Sequence, residues 1–342
     1  MKYVRQLPDA EMLKQELPLS DDQQKLRTMF IDDIKAVLSG KSRKKILCIG
    51  PCSADNEDAV LEYMMRLAKL KEEVDSCILI VPRVYTSKPR TNGIGYKGLL
   101  HRPVSYKEVD NIYEGLLATR KMHLHIIQKT GFFCADEMLY PEAAYYVNDL
   151  LAYTAVGARS VENQQHRLVA SGLDTPVGMK NPTSGDIDVM LNAIMAAQYS
   201  QNLLYHGWEC ETEGNPYTHA ILRGYVSGGS KIHSNYHYED LCEIHDQYML
   251  KNLKNPSVIV DCNHGNSKKH YDEQIRISKE VLHLCREFRD INGFVKGIMI
   301  ESYLEDGCQM IGESTYGRSI TDPCLGWKKT ERLVKELCEI LS

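Results

Sequence analysis

The chain has 342 residues and a formal net charge of −5 at neutral pH, with 41 Lys and Arg against 46 Asp and Glu. This balance gives no general attraction to nucleic acid or to a membrane surface, so any anionic ligand must be held by a local cluster of Arg and Lys. No stretch of about 18 apolar residues predicts a membrane span, and the charged N-terminus lacks the apolar core of a signal peptide. We therefore expect a cytoplasmic protein that binds neither nucleic acid nor membrane.

The 11 cysteines are scattered singly along the chain. They form no CxxC pair and no regular framework, and several lie inside apolar runs. This pattern is typical of reduced, mostly buried thiols and argues against a disulfide scaffold or a zinc knuckle.

Short apolar runs, rich in β-branched residues, alternate along the chain with longer segments of helical periodicity. Several runs lack the inside/outside alternation of a half-exposed strand, as expected for strands buried on both faces of a parallel sheet. The predicted strands are 45–49, 77–84, 132–136, 155–158, 175–180, 219–223, 257–261 and 297–301. Eight strands, each followed by a helix, predict an α/β protein with a closed (β/α)8 TIM barrel, and an open doubly wound sheet is the alternative.

Helical spacing of apolar residues is clear in 56–71, where Asp55 or Asn56 can cap the first turn, and again in 328–341. Two segments fall outside the strand–helix alternation. Residues 1–40 contain a predicted helix at 21–38, and we expect this N-terminal arm to make subunit contacts and to be a candidate regulatory element ahead of a catalytic barrel at 41–342. Residues 202–205 predict an extra β-element before the sixth barrel strand.

Every predicted strand ends at an ionisable or metal-binding side chain. Read at or just beyond each run, these are Cys52, Arg83, Glu137, Arg159, Lys180, Arg223, His264 and Glu301. Active sites of α/β barrels are built at the C-terminal ends of the strands. Any one of these residues alone is most simply part of a surface or interlayer salt bridge. Such side chains at the ends of all the predicted strands are hard to explain as ordinary solvent-exposed surface residues.

The cations of this set predict binding of anionic ligands. Burying several like charges together costs several kcal/mol unless anions bind among them. The guanidinium of Arg suits bidentate recognition of phosphate and carboxylate, and Lys suits a point contact. The cations that follow the strands, together with those of the loop after the second strand, are Arg83, Lys88, Arg90, Lys97, Arg159, Lys180 and Arg223. Their number indicates two phosphorylated substrates or one bisphosphate.

The remaining strand-end residues form a candidate metal site. Cys52, His264 and Glu301, joined by Asp322, offer a mixed sulfur, nitrogen and oxygen set that suits Mn, Fe, Co or Zn. No short metal motif supports them, since only the barrel brings them together. Taken alone, His264 is more often a hydrogen-bonded core histidine.

At this point the residues resemble a known family, the type I 3-deoxy-D-arabino-heptulosonate 7-phosphate (DAHP) synthases, also called phospho-2-dehydro-3-deoxyheptonate aldolases. The resemblance runs in matching order from about residue 45 to the C-terminus. The blocks that carry it are Gly50-Pro-Cys-Ser53, Arg83-Val-Tyr, Lys88-Pro-Arg-Thr91, Gly157-Ala-Arg159, Pro176-Val-Gly-Met-Lys-Asn181, Ile221-Leu-Arg-Gly224, Asp261-Cys-Asn-His264, Ile300-Glu-Ser302 and Ser319-Ile-Thr-Asp322.

The resemblance implies an aldol-type, carbon–carbon bond-forming transferase of the shikimate pathway. Such an enzyme condenses phosphoenolpyruvate with D-erythrose 4-phosphate and water to give DAHP and phosphate, the first step of aromatic amino-acid biosynthesis. It implies one divalent metal ion per subunit, which polarises the aldose carbonyl, and a homodimer or homotetramer.

The same resemblance assigns the individual residues. The metal ligands would be Cys52, His264, Glu301 and Asp322. The phosphoenolpyruvate site would consist of Arg83, Lys97, Ala158, Arg159, Lys180 and Arg223. Erythrose 4-phosphate would be held by Lys88, Pro89, Arg90 and Thr91. Arg83, Lys88 and Glu137 are the expected catalytic residues, with Lys88 as proton donor and Glu137 orienting the attacking water.

Alternative functions are a related synthase that makes 3-deoxy-octulosonate 8-phosphate from arabinose 5-phosphate, a class II metal aldolase, and a barrel that binds ligands without catalysis. The loop Lys88-Pro-Arg-Thr91 favours the four-carbon aldose over arabinose 5-phosphate. Family members are commonly inhibited by Phe, Tyr or Trp. Because Tyr140, Ala144 and Asp174 depart from the residues expected around that inhibitor pocket, we expect weak or altered feedback.

Overall fold

The computed structural model describes residues 1–90, 92–104 and 110–342, and all structural statements refer to this part of the chain. Its strands are β1 (Lys45–Gly50), β2 (Ile78–Pro82), β3 (Cys134–Glu137), β4 (Leu151–Val156), β5 (Val177–Lys180), β6 (Asn202–Tyr205), β7 (Trp208–Glu211), β8 (Thr218–Leu222), β9 (Tyr225–Ser227), β10 (Lys231–His233), β11 (Val258–Asp261) and β12 (Val295–Glu301). β6 and β7 form one hairpin and β9 and β10 another, while the other eight strands form one sheet.

The eight-stranded sheet is parallel and closes into a barrel. Its strand order is β2-β1-β12-β11-β8-β5-β4-β3. The two end strands, β2 and β3, meet through a parallel bridge between Arg83 and Ala135. Beside it, the Val84 amide donates a hydrogen bond to the Ala135 carbonyl at 2.9 Å. The predicted (β/α)8 barrel is therefore confirmed, and the open-sheet alternative is wrong.

Helices surround the barrel and cover its N-terminal end. They are α1 (Ala10–Glu16), α2 (Asp21–Leu38), α3 (Glu57–Val74), α4 (Ile112–Thr130), α5 (Pro141–Ala144), α6 (Gln164–Ser171), α7 (Ile187–Gln198), α8 (Tyr238–Leu250), α9 (Glu273–Glu287), α10 (Arg289–Phe294) and α11 (Trp327–Leu341). The predicted cap of α3 is Asn56, whose side chain accepts a hydrogen bond from the Ala59 amide at 3.0 Å. Among the described residues, no helix has both the length and the apolar character needed to cross a membrane.

The structure shifts several predicted strand bounds by one or two residues, and the largest correction concerns a single strand. The strand predicted at 155–158 is β4, which begins at Leu151, directly after a short 3₁₀ helix at Asn148–Leu150, and ends at Val156. Its first residues include Tyr153 and Thr154, which are good strand formers that a search for aliphatic runs passes over. The extra strand predicted at 202–205 is confirmed as β6, whereas the β9–β10 hairpin was not predicted.

Helix α2 contributes buried side chains to the core of the barrel. Its buried side chains Phe30, Ile31 and Ile34 pack in one cluster with residues that fill the barrel interior. Arg27 Nε donates to the Leu151 carbonyl at 2.7 Å, at the start of β4. Residues 1–40 thus contribute a helix that closes the end of the barrel opposite to the strand exits. Their part in subunit contacts stays a prediction.

Candidate active site

A cavity of about 190 Å³ opens at the C-terminal ends of the barrel strands. The residues predicted from the sequence that line it are Cys52, Arg83, Lys88, Pro89, Arg90, Glu137, Ala158, Arg159, Lys180, Arg223, His264, Glu301 and Asp322. They come from distant parts of the chain and meet because parallel strands all end at the same rim. Tyr85 and Lys269 also line the cavity and were not predicted.

Backbone and amide contacts fix the strand ends that carry these side chains. The Arg83 amide donates to the Ile49 carbonyl at 2.9 Å and so continues the ladder between β1 and β2. Asn181 joins the ends of β5 and β8, since its side-chain oxygen accepts from the Arg223 amide at 2.9 Å and its side-chain nitrogen donates to the Gly224 carbonyl at 3.0 Å. These hydrogen bonds fix the backbone at the strand ends, and with it the positions from which the cationic side chains extend.

Arg83 is the most buried cation of the site. Its Nη2 lies 3.0 Å from Oε1 of Glu301, and both side chains are at most 1% exposed. The guanidinium stacks over the Tyr85 ring, 3.9 Å from the ring centroid. Among the described residues, its Nε and Nη1 atoms have no hydrogen-bond partner. Unpaired buried donors are costly, so these atoms are suited to receive an anionic ligand.

Glu301 remains ionised although it is buried. Burial by itself raises the pKa of a carboxyl group, but the positive charges of Arg83, then His264 and Lys88, lower the pKa of Glu301 to about 2. A permanently charged carboxylate next to a thiol is a natural ligand for a divalent cation.

Asp261, the last residue of β11, links the cations to the candidate metal site. Its Oδ2 lies 3.1 Å from Lys180 Nζ and 2.9 Å from His264 Nδ1. Although burial opposes ionisation, His264 and Lys180 hold the pKa of Asp261 well below its usual range. The carboxylate therefore orients both neighbours, as the outer partner of a ligating histidine usually does. The sequence offered one signal for it, a charged residue closing the otherwise aliphatic strand Val258–Asp261.

Cys52, Glu301 and Asp322 offer ligand atoms that all lie within 4.8 Å of one another. His264 Nε2 lies 3.9 Å from Glu301 Oε1, close enough to join them. Lys88 Nζ donates to Cys52 Sγ at 3.1 Å. A thiol, an imidazole and two carboxylates in one place fit a divalent metal of the kind expected from the sequence, and a metal would deprotonate the thiol, whose pKa burial now raises.

Glu137 and the segment after β4 form another part of the cavity wall. The Glu137 carboxylate packs closely against Gly157, so a Cβ atom at this position would push the carboxylate aside. Arg159 and Arg223 lie on the same side of the cavity. Burial lowers the pKa of Arg223, and the charge of Arg159 acts in the same direction. Arg stays protonated in proteins, so these side chains form a crowded positive surface that an anion would relieve.

The loop after β2 brings Lys88, Pro89 and Arg90 to the cavity. Arg90 Nε donates to the Tyr96 carbonyl at 2.8 Å. Lys97 is not among the described residues that line the cavity, since its Nζ pairs with Asp110 Oδ2 at 2.6 Å. Thr91 lies outside the described residues. The roles predicted for Lys97 and Thr91 stay predictions.

The residues named for an inhibitor pocket lie outside the barrel. Tyr140 and Ala144 line a cavity of about 40 Å³ beside α4 and α5. Tyr140 also lines a neighbouring cavity of about 330 Å³. The carboxylate of Asp174 receives two hydrogen bonds from Arg27, at 2.6 Å and 2.9 Å, so its charge is compensated.

The fold and this site define the class of protein. It is a (β/α)8-barrel enzyme whose cavity is lined by many cations and lies next to the group of candidate metal ligands. A family model described as the DAHP synthetase I family matches residues 17–335. The chain is 38% identical over 315 residues to the Trp-sensitive phospho-2-dehydro-3-deoxyheptonate aldolase of Escherichia coli K12, covering 89% of this chain and 86% of that protein. It is 34% identical to the Tyr-sensitive enzyme of the same strain, covering 98% and 93%.

A solved structure shares the whole fold. The phospho-2-dehydro-3-deoxyheptonate aldolase of Francisella tularensis SCHU S4 superposes with a TM-score of 0.92 at 32% identity, over 100% of this chain and 98% of that one. The chain belongs to the DAHP synthetase I family. The resemblance found in the sequence is thereby confirmed.

Proposed function

We propose that the cavity at the strand ends binds both substrates of a DAHP synthase in adjacent subsites. The chain condenses phosphoenolpyruvate with erythrose 4-phosphate to give DAHP and phosphate, the first step of the shikimate pathway, in keeping with its family. The residues proposed for phosphoenolpyruvate are Arg83, Ala158, Arg159, Lys180 and Arg223, which line the cavity. Lys97 is proposed as a further residue of this subsite, and it would have to leave its partner Asp110 to reach the ligand. Those proposed for erythrose 4-phosphate are Lys88, Pro89, Arg90 and Thr91.

The observation that carries this assignment is the convergence of buried cations on one cavity beside a cluster of acidic ligands. Arg83 has two buried donors without a partner among the described residues. Lys180 is oriented toward the cavity by its contact with Asp261 at 3.1 Å. A ligand with a carboxylate and a phosphate satisfies such donors, and phosphoenolpyruvate carries both groups.

The metal site sits beside the subsite proposed for the aldose. One divalent ion per subunit, Mn, Fe, Co or Zn, held by Cys52, His264, Glu301 and Asp322, would supply a Lewis acid for the aldehyde oxygen. Lys88 lies next to these residues. Burial alone would lower the pKa of Lys88, but Cys52 and Glu301 have the larger, opposite effect, and the pKa is raised above its ordinary value. The ammonium group therefore stays protonated. We assign Lys88 as the donor of the proton that the aldehyde oxygen takes up when C3 of phosphoenolpyruvate attacks the carbonyl carbon.

The second half of the reaction adds water at C2 and releases phosphate by cleavage of its C–O bond. Glu137 packs against Gly157 at the wall of the cavity, where its carboxylate can orient that water. Arg159 and Arg223 can stabilise the departing phosphate, since neither needs to move to meet a growing negative charge.

The test is direct. Purified protein with Mn²⁺ and both substrates is expected to consume phosphoenolpyruvate, followed by its ultraviolet absorbance, and to release an equal amount of phosphate. Arabinose 5-phosphate in place of erythrose 4-phosphate is expected to give little turnover. Preference for arabinose 5-phosphate would assign the octulosonate branch, and no turnover with either aldose would favour a non-catalytic barrel.

We also propose that the chain assembles as a homodimer or homotetramer. The proposal rests on the family and on the N-terminal arm, where α1 and α2 lie outside the strand–helix alternation. Sedimentation of the full chain measures the mass. A monomer at micromolar concentration would overturn the assignment.

A further inference from the structure

Two cysteines lie side by side at the N-terminal end of the barrel, away from the candidate active site. Cys77 directly precedes β2, and Cys338 lies in the last turn of α11. The Cys338 thiol donates a hydrogen bond to Cys77 Sγ, with the two sulfur atoms 2.8 Å apart. A disulfide bond is about 2.05 Å long, so the sulfurs need to approach by less than ~1 Å to form one.

The surroundings of the two thiols differ. Burial raises the pKa of Cys77, but the hydrogen bond from Cys338 and further contacts from Ser342 and Ser76 outweigh it and lower the pKa. The hydroxyl oxygens of these serines lie 3.3 Å and 3.2 Å from Cys77 Sγ. Burial and the neighbouring sulfur raise the pKa of Cys338. Of the two thiols, Cys77 therefore loses its proton more readily and is the one that attacks, while Cys338 is positioned to react second.

Cys77 faces a cleft of about 870 Å³ between the N-terminal end of the barrel and the ends of α9, α10 and α11. Cys338 is not among the described residues that line this cleft. The cations that line it are Arg43, Lys44, Lys45, Arg286, Arg289 and Lys296. None of its described lining residues has an acidic side chain. Two of these cations pair with acidic residues just outside the lining, Lys44 with Asp75 at 3.0 Å and Arg286 with Glu287 at 3.5 Å. The other four leave the cleft with an excess of positive charge, which favours a negatively charged molecule.

We propose that Cys77 and Cys338 form a redox-active dithiol that an anionic tripeptide disulfide, such as glutathione disulfide, converts into an intramolecular disulfide. The Cys77 thiolate attacks one sulfur of the oxidant, an S–S bond forms to Cys77, and one tripeptide thiolate leaves. Cys338 then loses its proton and attacks Cys77 Sγ, which releases the second tripeptide thiolate. The two protein thiols give up two electrons and two protons in all, and the oxidant becomes two thiols.

The disulfide would join the end of α11 to the start of β2. Helix α11 packs against α3 and α9, so the new bond would fasten the last helix of the barrel to the first half of the chain. A bond that closes so long a loop restricts the unfolded chain strongly and is expected to raise the melting temperature by about 5 °C. Because the strand exits lie at the other end of the barrel, the condensation activity is expected to stay unchanged.

The experiment uses the full-length, Mn²⁺-loaded protein in buffers of graded glutathione and glutathione disulfide. Samples are quenched with acid and mapped as peptides without reduction. The expected product is a Cys77–Cys338 cross-link that has lost two hydrogens and that thiol reductant reverses. The expected rise in melting temperature accompanies it. If Cys77 remains unmodified under conditions that modify the exposed Cys308, the proposal is wrong.

Two variants separate the roles of the sulfurs. Cys338→Ser should accumulate one glutathione on Cys77, because the second step is blocked, and Cys77→Ser should leave Cys338 free. Cys308→Ser, at an exposed cysteine outside the pair, is the matched control and should form the cross-link as the natural chain does. Glutathione found first on Cys338 would reverse the assigned roles and overturn the mechanism. The wild-type map decides the existence of the disulfide even if a variant does not fold.

Discussion

The guanidinium of Arg83 and the carboxylate of Glu301 face each other at 3.0 Å across the end of β1, the strand that lies between β2 and β12. Arg83 belongs to the positive wall of the cavity, and Glu301 belongs to the group of candidate metal ligands. One buried ion pair therefore connects the anion-binding side of the site with its metal-binding side, and loss of either partner leaves a buried charge without its nearest counter-charge.

Arg83→Ala is expected to destabilise the metal-free protein by about 3 kcal/mol, because the carboxylate of Glu301 would remain buried without its nearest counter-charge. Urea denaturation measures this loss. Lys25→Ala is the control, since Lys25 pairs with Asp22 on the surface at 3.5 Å and should cost less than about 1 kcal/mol. Equal losses of unfolding free energy in the two variants would show that the buried pair stabilises the fold no more than a surface pair does.

Acid stability should depend on Glu301. Its pKa is about 2 in the folded protein against an ordinary value of 4.5. A depressed carboxyl pKa contributes stability that is complete above about pH 4.5 and is lost as the pH falls toward 2. In the metal-free state, Glu301→Gln should therefore flatten the fall in unfolding free energy over this interval. Parallel curves for the two proteins would refute the assignment.

The barrel and its strand-end residues were predictable because they depend on local pattern. A buried parallel strand reads as an aliphatic run, and the residue that follows it must lie at the common rim. This placed Cys52, Lys180 and Glu301 correctly at one cavity without any knowledge of their contacts. The start of β4 escaped because Tyr153 and Thr154 interrupt its aliphatic character.

Pairings between side chains were not predictable, because they depend on the register and on distances across the barrel. Asp261 was identified as the end of a strand and as part of a family-like block but was given no role, yet it contacts both Lys180 and His264. Likewise, nothing in the sequence predicts that the amino group of Lys97, which stays a proposed substrate cation, pairs with Asp110. Charge type is visible in a sequence, but the partner that a charge meets is decided by the fold.

Asp261→Asn should weaken the site without removing any expected ligand. The amide keeps the shape of the side chain but loses the charge that orients His264 and Lys180. Loss of such an outer partner typically lowers metal affinity or activity by about 10–100-fold. Competition with a coloured chelator measures the affinity for Mn²⁺, and exposed Asp246→Asn is the matched control. Unchanged affinity and activity would remove Asp261 from the site.

Arg90→Ala and Arg223→Ala should separate the two subsites. Each removes one charge-assisted contact to an anionic group, which is worth about 1.5–3 kcal/mol, or roughly 10–100-fold in KM. Arg90→Ala is expected to raise the KM for erythrose 4-phosphate, and Arg223→Ala the KM for phosphoenolpyruvate. Initial rates with each substrate varied in turn give both constants. Exchange of the two effects would mean that the subsites are assigned the wrong way round.

Feedback by aromatic amino acids should be weak. Tyr140 borders a cavity of about 40 Å³, far below the ~300 Å³ of a typical small-molecule site, and a neighbouring cavity of about 330 Å³. We expect the bulk of the Tyr140 ring to hinder the binding of an amino acid in both. Phe, Tyr and Trp at millimolar concentration are therefore expected to leave most of the activity. Tyr140→Ala should increase inhibition, because this ring borders both the small cavity and its larger neighbour. Tyr199→Ala, at an exposed position, is the control. Strong inhibition of the natural chain by any of the three would contradict the role given to Tyr140.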